Sequence, residues 1–325
     1  HVVVAHRSLE ELPGCISTFS REASSLGAEP EVVVVDHSED AACAEAARSS
    51  GADVTLVRPN RGYAAGLNVG VEAATGEVLL LGNPDVELLP DGLGRLLAGL
   101  RAGFAVTAPQ QVWDRQGRLL LPVPEDPAPR AEALRLARRA WQCLWRLGLG
   151  ADLERTARLW SGVGPQQVPC LRGPLLALER STWDALGPLD EGYFLYYEET
   201  EWLWRASRSG ARLALVGDAR IVHRFGHATR LRADRGAIEE RSRRRFLERN
   251  YSPLARRLVG WLERRPQGSG PAVVPLAGPE EVPAVEADLW LLSPFRHLQP
   301  AAGWAGDTVP DELRSLTREG TWLTA

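Results

Sequence analysis

Short, uninterrupted apolar runs alternate with helix-forming stretches through the N-terminal part of the chain, and few folds accept that pattern. Val2-Val3-Val4-Ala5 comes first, Glu31-Val32-Val33-Val34-Val35 follows, and Val54 to Val57 and Val78 to Leu81 repeat the theme. Strands that are apolar at every position cannot leave a face in water. They belong to a parallel sheet covered on both sides by right-handed crossover helices. Between the first two runs, Ser8 and Glu11 have the spacing of a capping box, and an alanine-rich helix is expected from about Asp40 to Ser50. The expected class is α/β, with a Rossmann-like, mostly parallel sheet flanked by helices.

Composition narrows the function. A chain of 325 residues with 44% hydrophobic content can bury one large core or two smaller ones. No apolar run reaches the length of a membrane span, so a soluble protein is expected. A formal net charge of −4 and a pI near 6.0 give no global electrostatic case for nucleic acid as a partner. Cys15, Cys43, Cys143 and Cys170 are scattered without metal spacing, which suits free thiols in a reducing compartment. His1 opens directly into the first apolar run with no signal sequence before it, and a cytoplasmic location is the expectation.

The candidate chemistry gathers where the apolar runs stop. Val78 to Leu81 ends abruptly at Gly82-Asn83-Pro84-Asp85, and a carboxylate just past a central strand stands where open α/β sheets bind ligands. Asp85 there can hold a divalent cation against a diphosphate, although Asn-Pro-Asp is also an ordinary turn. Asp36 ends the second run, placed either to accept hydrogen bonds from a base or ribose or to favour a helix N-terminus. Asn60-Arg61-Gly62-Tyr63-Ala64-Ala65-Gly66-Leu67-Asn68 enters a helix with small residues that let a ligand or a neighbouring backbone approach. The dinucleotide fingerprint GxGxxG is missing after the first strand, and so is the phosphate loop GxxxxGK[ST]; an NAD enzyme or a P-loop NTPase is not expected.

The ordered series VVVVDHSED, NRGYAAGLNVGVEAATGEVLLLGNPDVEL, GYFLYYEETEWLWRASRSG and ARIVHRFGHAT resembles the family 2 glycosyltransferases of the GT-A fold, over roughly Val2 to Arg230. Within that family it is most similar to the rhamnosyltransferase-type enzymes that extend bacterial glycans. The resemblance implies Asp85 and His223 as ligands of Mg2+ or Mn2+, and Asp36 as a contact to the nucleotide base. It implies that Asn60, Arg61, Gly62, Gly66, Asn68 and Asn83 line a nucleotide-sugar pocket. The partners implied are a nucleoside diphosphate sugar, with dTDP-rhamnose or a UDP-sugar in view, and a glycan or lipid-linked acceptor hydroxyl. The family carries Glu-Asp where this chain has Glu198-Glu199. By that match Glu199 is the base of an inverting displacement, with Glu198 able to share the role. The extra methylene moves the carboxylate by about an ångström, which matters where position supplies rate.

Read from the residues alone, the three carboxylates Glu198, Glu199 and Glu201 suit a helix N-terminus, with Glu201 one turn from Arg205. Further expectations are a helix over Pro90 to Leu100, a strand over Ala105 to Pro109, one strand from Val168 to Leu178 and a short helix from Ser181 to Leu186. Strand segments at Ala214 to Val216 and Ala219 to Val222 deliver His223, with His227 left open. Ala131 to Leu147 reads as one basic helix bearing Trp141, Leu144, Trp145 and Arg146. Its apolar stripe packs on the domain or lies on an anionic membrane surface. Arg230 to Arg249, with RSRRRF inside it, reads as a helix with a solvated basic face, an anionic acceptor being the alternative. The domain plan is a catalytic domain over 1–262 with a helical insertion at about 127–160, a linker over 263–285, and a segment over 286–325 that docks on the main domain or on a second subunit, which admits a homodimer. The rivals are a nucleotidyltransferase, disfavoured because His6-Arg7-Ser8-Leu9 is no glycine-rich loop, and a non-catalytic nucleotide-sugar sensor.

Overall fold

The computed structural model describes residues 1–38, 41–223, 234–266, 274–276, 290–293, 302–304 and 321–324. Expectations for His227, for most of 263–285 and 286–325, and for the side chains of Cys143, Trp145, Arg146 and Leu147 lie outside the described residues. The chain divides into two compact units. The first comprises His1–Gln110, Pro124–Pro127 and Ser161–Ser252; the second comprises Gln111–Val123, Ala128–Trp160 and Pro253–Ala325.

In the first unit the alternation read from the sequence is present: β1 (Val2–Ala5), α1 (Leu12–Ser25), β2 (Val33–Asp36), α2 (Ala41–Ser49), β3 (Val54–Val57), α3 (Tyr63–Ala73) and β4 (Val78–Gly82). These strands pair in parallel, with Val2 opposite Val33, Val33 opposite Val54, and Val2 opposite Leu81. Beyond β4 the chain adds β5 (Val86–Leu88), α4 (Gly92–Arg101) and β6 (Val106–Val112), passes through α5 (Pro129–Ala140) and α6 (Gln142–Ser161), and continues with β7 (Pro165–Val168), β8 (Leu175–Glu179), α7 (Arg180–Leu186), α8 (Glu198–Arg208), β9 (Leu213–His223) and α9 (Arg235–Asn250). The sheet order is β3-β2-β1-β4-β8-β6-β9-β5, with β7 on β9. The strands β8, β5 and β7 join antiparallel. The sheet is therefore mixed: parallel where strand and helix alternate, antiparallel where they do not.

One side of the sheet is closed by α1 and α4, whose Ile16, Phe19, Leu93 and Leu96 pack with Val34 and Ile221 in the main core. On α3 the small residues face the sheet. Gly66 lies so close to β1 that a Cβ there would come within 2.7 Å of Val4 Cγ1 and 2.9 Å of His37 Cε1. The far end of α3 is tied by Arg180, which donates to the carbonyls of Val71, Ala74 and Gly76 at 3.3, 2.7 and 2.9 Å. A cation at the free carbonyls of a helix C-terminus is favourable on both hydrogen-bond and dipole grounds.

Three local expectations are corrected. Ser8 forms no capping box, because Pro13 starts the helix at Leu12, Glu11 occupies the N-cap position without making a capping hydrogen bond, and Ser8 Oγ donates to His6 O. The single strand from Val168 to Leu178 is two strands separated at Pro169 to Pro174, since each proline lacks the N–H a ladder needs. The helix over 131–147 is broken at an extended Trp141 into α5 (Pro129–Ala140) and α6 (Gln142–Ser161), with no proline or glycine to signal the break.

In the second unit α5 packs on α10 (Pro253–Glu263), a helix the sequence reading did not single out. A four-stranded antiparallel sheet runs β10-β13-β11-β12 over Val274–Leu276, Thr321–Thr324, Trp290–Ser293 and Ala302–Trp304. Leu120 and Gly303 exchange backbone hydrogen bonds at 2.8 and 2.9 Å.

The contact between α3 and β1 sets a test of the fold. Gly66→Ala forces a methyl into the Val4 side chain and is expected to cost about 1–3 kcal/mol, read as a lower urea midpoint with an unchanged slope.

Candidate active site

The carboxyl ends of β1, β2 and β4 form one rim of the sheet, at the point where the strand order turns from β2-β1 to β4. Asp36 ends β2 fully buried. Its Oδ1 accepts the Ser38 N–H at 2.9 Å, while its Oδ2 is buried without a protein partner. An unpaired buried acceptor suits an N–H or O–H supplied by a ligand. Ser38 Oγ accepts the Arg7 N–H at 2.6 Å, which joins the loop after β1 to the loop after β2. His37, between Asp36 and Gly66, is buried, and desolvation lowers its pKa although Asp36 acts in the opposite sense.

The Asn60 to Asn68 stretch is organised as a tie. Asn60 Oδ1 accepts the Gly62 N–H at 3.0 Å, and Gly62 takes φ of 100°, where a side chain is strained. A Cβ on Gly62 would also fall 2.7 Å from Phe194 Cα, and the next N–H, that of Tyr63, donates to Phe194 O at 2.9 Å. Asn68 brackets Leu189, donating to its carbonyl and accepting its N–H, each at 3.0 Å, and it donates to Glu191 at 3.2 Å. Arg61, largely exposed, pairs with Glu191 at 2.9 Å. The polar atoms of Arg61 and Asn68 expected to line a ligand pocket are thus engaged with residues 189–191. Their task in this structure is to hold the loop against the chain that leads into α8.

After β4, the Asn83 N–H donates to Pro174 O at 2.9 Å, and the turn carries Asp85 into β5. The antiparallel register sets Val86 opposite His223. Asp85 Oδ1 consequently lies 3.5 Å from His223 Nε2, both side chains being almost wholly buried. No group of three or more potential metal-ligating side chains occurs among the described residues. A carboxylate oxygen beside an imidazole nitrogen nevertheless fits Mn2+, or Mg2+, when the remaining positions are filled by ligand phosphates and water, the usual arrangement for such cations.

The chain reaches α8 through two consecutive left-handed residues, Tyr196 and Tyr197, both at φ of 68°. Each costs about 1 kcal/mol or more, and such strain persists only where the surroundings hold it. The surroundings here come from α9. Arg245 Nη2 bridges both oxygens of Asp190 at 2.9 and 2.8 Å, Ser242 Oγ donates to Leu195 O at 2.7 Å, and Phe246 packs 5.5 Å from Tyr197. Asp190 loses some hydration, but the Gly192 N–H and Arg245 hold its pKa below the ordinary value. The arginine-rich helix was expected to present a solvated basic face; Arg245 instead points inward and stands over the Tyr193 ring at 5.2 Å.

This bracing delivers Glu198 and Glu199 to a dry corner. Burial raises the pKa of both. The charge of Glu199 and the hydrogen bond that Glu198 donates to it push Glu198 higher still. For Glu199, burial is opposed by its own N–H, by the guanidinium of Arg172 and by the N–H of Thr200. The pair therefore shares one proton, held on Glu198. Glu199 lies across Gly173, where an added Cβ would sit 2.9 Å from its carboxyl carbon. Tyr63 completes the corner. Its hydroxyl is buried without a protein partner, and its pKa is raised well above the ordinary value by burial and then by Glu199, Glu198 and Asp85. Tyr63 thus places the carboxyl pair and the Asp85–His223 pair around one site. Neither Tyr63 nor Arg172 was singled out from the sequence; Tyr63 lay inside a recognised motif, while Arg172 carried no signal beyond its place between two prolines.

A rim that joins a buried acceptor after β2, a carboxylate–imidazole pair after β4 and a carboxyl pair at the start of α8 can receive a charged ligand. Residues 2–144 match the family described as Glycosyl transferase family 2. The matched stretch contains Asp36, the Asn60 to Asn68 loop and Asp85. Over 226 residues the chain is 24% identical to the low-salt glycan biosynthesis hexosyltransferase Agl10 of Haloferax volcanii; the match covers 68% of this chain and 64% of that protein. The chain thus spans under two thirds of that relative's length. Among solved structures it is similar to the mannosyltransferase PcManGT from Pyrobaculum calidifontis in complex with GDP-Man and Mn2+, with 18% identity, TM-score 0.47, and coverage of 81% of this chain and 67% of that one. It is also similar to GalNAc-T7 with UDP, GalNAc and Mn2+, with 19% identity, TM-score 0.46, and coverage of 68% and 43%.

The shared proton gives a pH-dependent test. Above the ordinary glutamate range, about pH 4.3, the unfolded chain releases the Glu198 proton while the folded protein retains it. The folded state is therefore penalised increasingly as pH rises toward the raised value. Glu198→Gln removes that penalty. Its urea midpoint is expected to equal that of the wild type near pH 4.5 and to exceed it near pH 8.

Proposed function

We propose that the protein transfers a sugar from a nucleoside diphosphate sugar to an acceptor hydroxyl by a single inverting displacement. The observation that carries the reading is that the buried Tyr63 hydroxyl lies within electrostatic reach of Glu199, Glu198 and Asp85. That proximity supports a base and a diphosphate-side cation site serving one displacement, which requires them close together.

In this reading Asp36 and its unpaired Oδ2 receive the base or ribose of the donor, and the diphosphate lies toward Asp85 and His223. A divalent cation held by those two residues would neutralise charge on the leaving diphosphate. Glu199 accepts the proton of the attacking hydroxyl. Its pKa, raised by burial, moves it toward the working pH, where a general base is most effective. Arg172 keeps Glu199, rather than Glu198, as the ionised member of the pair, and Glu198 holds its proton and fixes the carboxylate's orientation. The extra methylene relative to the family's aspartate is accommodated at Gly173, where the Glu199 side chain lies against bare backbone. The Agl10 likeness supports a hexose as the transferred unit and a glycan as the product. A dTDP-sugar and a UDP-sugar are the first donors to test, and a lipid-linked or soluble glycan is the acceptor class.

The test is transfer from a panel of nucleotide sugars with Mn2+ or Mg2+. Glu199→Gln is expected to lower kcat by roughly 100-fold or more while nucleotide binding persists. Asp85→Ala is expected to remove the response to added metal. In the wild type, activity should fall with decreasing pH through a value above the ordinary carboxylate range, because protonation of Glu199 removes the base. Tight nucleotide binding by an inactive wild type, unchanged by Glu199→Gln across the donor and acceptor panel, overturns the transferase reading in favour of a sensor.

A further inference from the structure

The outer face of α10 carries apolar side chains where a solvated helix would carry polar ones. Leu254, Leu258 and Trp261 recur at intervals of four and three residues and so share one stripe. They are 77%, 47% and 41% exposed, whereas Val259 and Leu262 on the adjoining face are buried. Trp141, 37% exposed, widens the patch, its ring centroid 6.0 Å from that of Trp261. Cations border the stripe. Arg257 and Arg264 follow Leu254 and Trp261 by three residues each, and Arg265 stands over the Trp261 ring at 4.1 Å. Among the described residues the ion pairs within this unit lie elsewhere, Arg118 with Asp114, Arg135 with Glu132 and Arg138 with Asp152. Among the described residues no carboxylate pairs with Arg257, Arg264 or Arg265.

We propose that this face docks the protein on an anionic lipid bilayer. Leu254, Leu258 and Trp261 enter the boundary between headgroups and acyl chains, and Arg257, Arg264 and Arg265 meet lipid phosphates. The combination decides the occupant. Isolated protruding leucines need a yielding apolar medium rather than a shaped pocket, an indole is at home at the lipid–water boundary, and unpaired arginines gain from a negative surface. A second copy of the chain is a poorer match. A two-fold contact sets a patch against itself and would bring these unpaired arginines toward their own copies. The surface belongs to α10 and Trp141, so it is independent of the sugar transferred and of the acceptor.

The full chain is tested by co-sedimentation with vesicles of phosphatidylcholine alone and of phosphatidylcholine mixed with phosphatidylglycerol. Strong sedimentation with the anionic vesicles, weakened by added salt and slight with phosphatidylcholine alone, is expected. Leu254→Ser combined with Leu258→Ser should reduce partition to anionic vesicles roughly tenfold, and Arg257→Glu combined with Arg264→Glu should do likewise. Both variants change exposed positions, and unaltered thermal melting confirms that the fold is kept. Absence of sedimentation overturns the proposal, and so does equal, salt-insensitive binding to both vesicle types. A dimer detected by light scattering that Leu254→Ser with Leu258→Ser dissociates, without vesicle binding, overturns it in favour of a second copy.

Discussion

A buried glutamate, Glu198, and a half-buried one, Glu199, stand side by side at the start of α8, and much of the first unit is arranged to make that tolerable. Two carboxylates cannot both be charged in a dry corner, so the pair retains a proton on Glu198. The remaining charge is met by Arg172 and by backbone N–H groups at the helix N-terminus. Even so, the chain must be forced into place, as the left-handed Tyr196 and Tyr197 show. Asp190 with Arg245, Leu195 with Ser242 and Tyr197 with Phe246 supply the force from α9. The Asn60 to Asn68 loop supplies it from the other side, through Leu189 and Phe194. The same bracing that makes the site costly to build holds the Glu199 carboxylate rigidly.

The sheet solves a different problem, that of bringing distant residues to one rim. Asp36 ends β2 and Asp85 follows β4, the two strands that flank β1 in the parallel half, and a parallel sheet places all such ends on the same side. His223 reaches the rim by the opposite route, as the last residue of an antiparallel strand whose register with β5 sets it beside Asp85. A mixed sheet is thus what allows a carboxylate and an imidazole separated by more than half the first unit's length to meet.

Legibility in the sequence followed the range of the interactions. The strands β1 to β4 were readable because each is a local apolar run, and Val54 to Val57 was placed to the residue. Asp36, Asp85, Glu199 and His223 were singled out because each sits at a recognisable motif. Arg61 and Asn68 were located but given a ligand-facing task, since the side chain that each engages lies more than a hundred residues away. Arg245 was read as a solvated charge because Asp190, its partner, lies 55 residues away. The break at Trp141 was missed because no proline, glycine or cap marks it, whereas α10 was missed although Ser252 and Pro253 supply a helix-start signal.

By itself, the sequence determined the strand–helix alternation, the family resemblance and the residue types available for chemistry, all of which depend on near neighbours along the chain. Only the tertiary structure decided how they act together. It gave Glu198 the proton and Glu199 the charge, because Arg172 and the α8 N-terminus approach one carboxylate more effectively than the other. It turned a conspicuous loop into a brace and set Tyr63 between two ends of one site. Burial and electrostatic pairing are properties of distance in space, and no spacing along the chain states them.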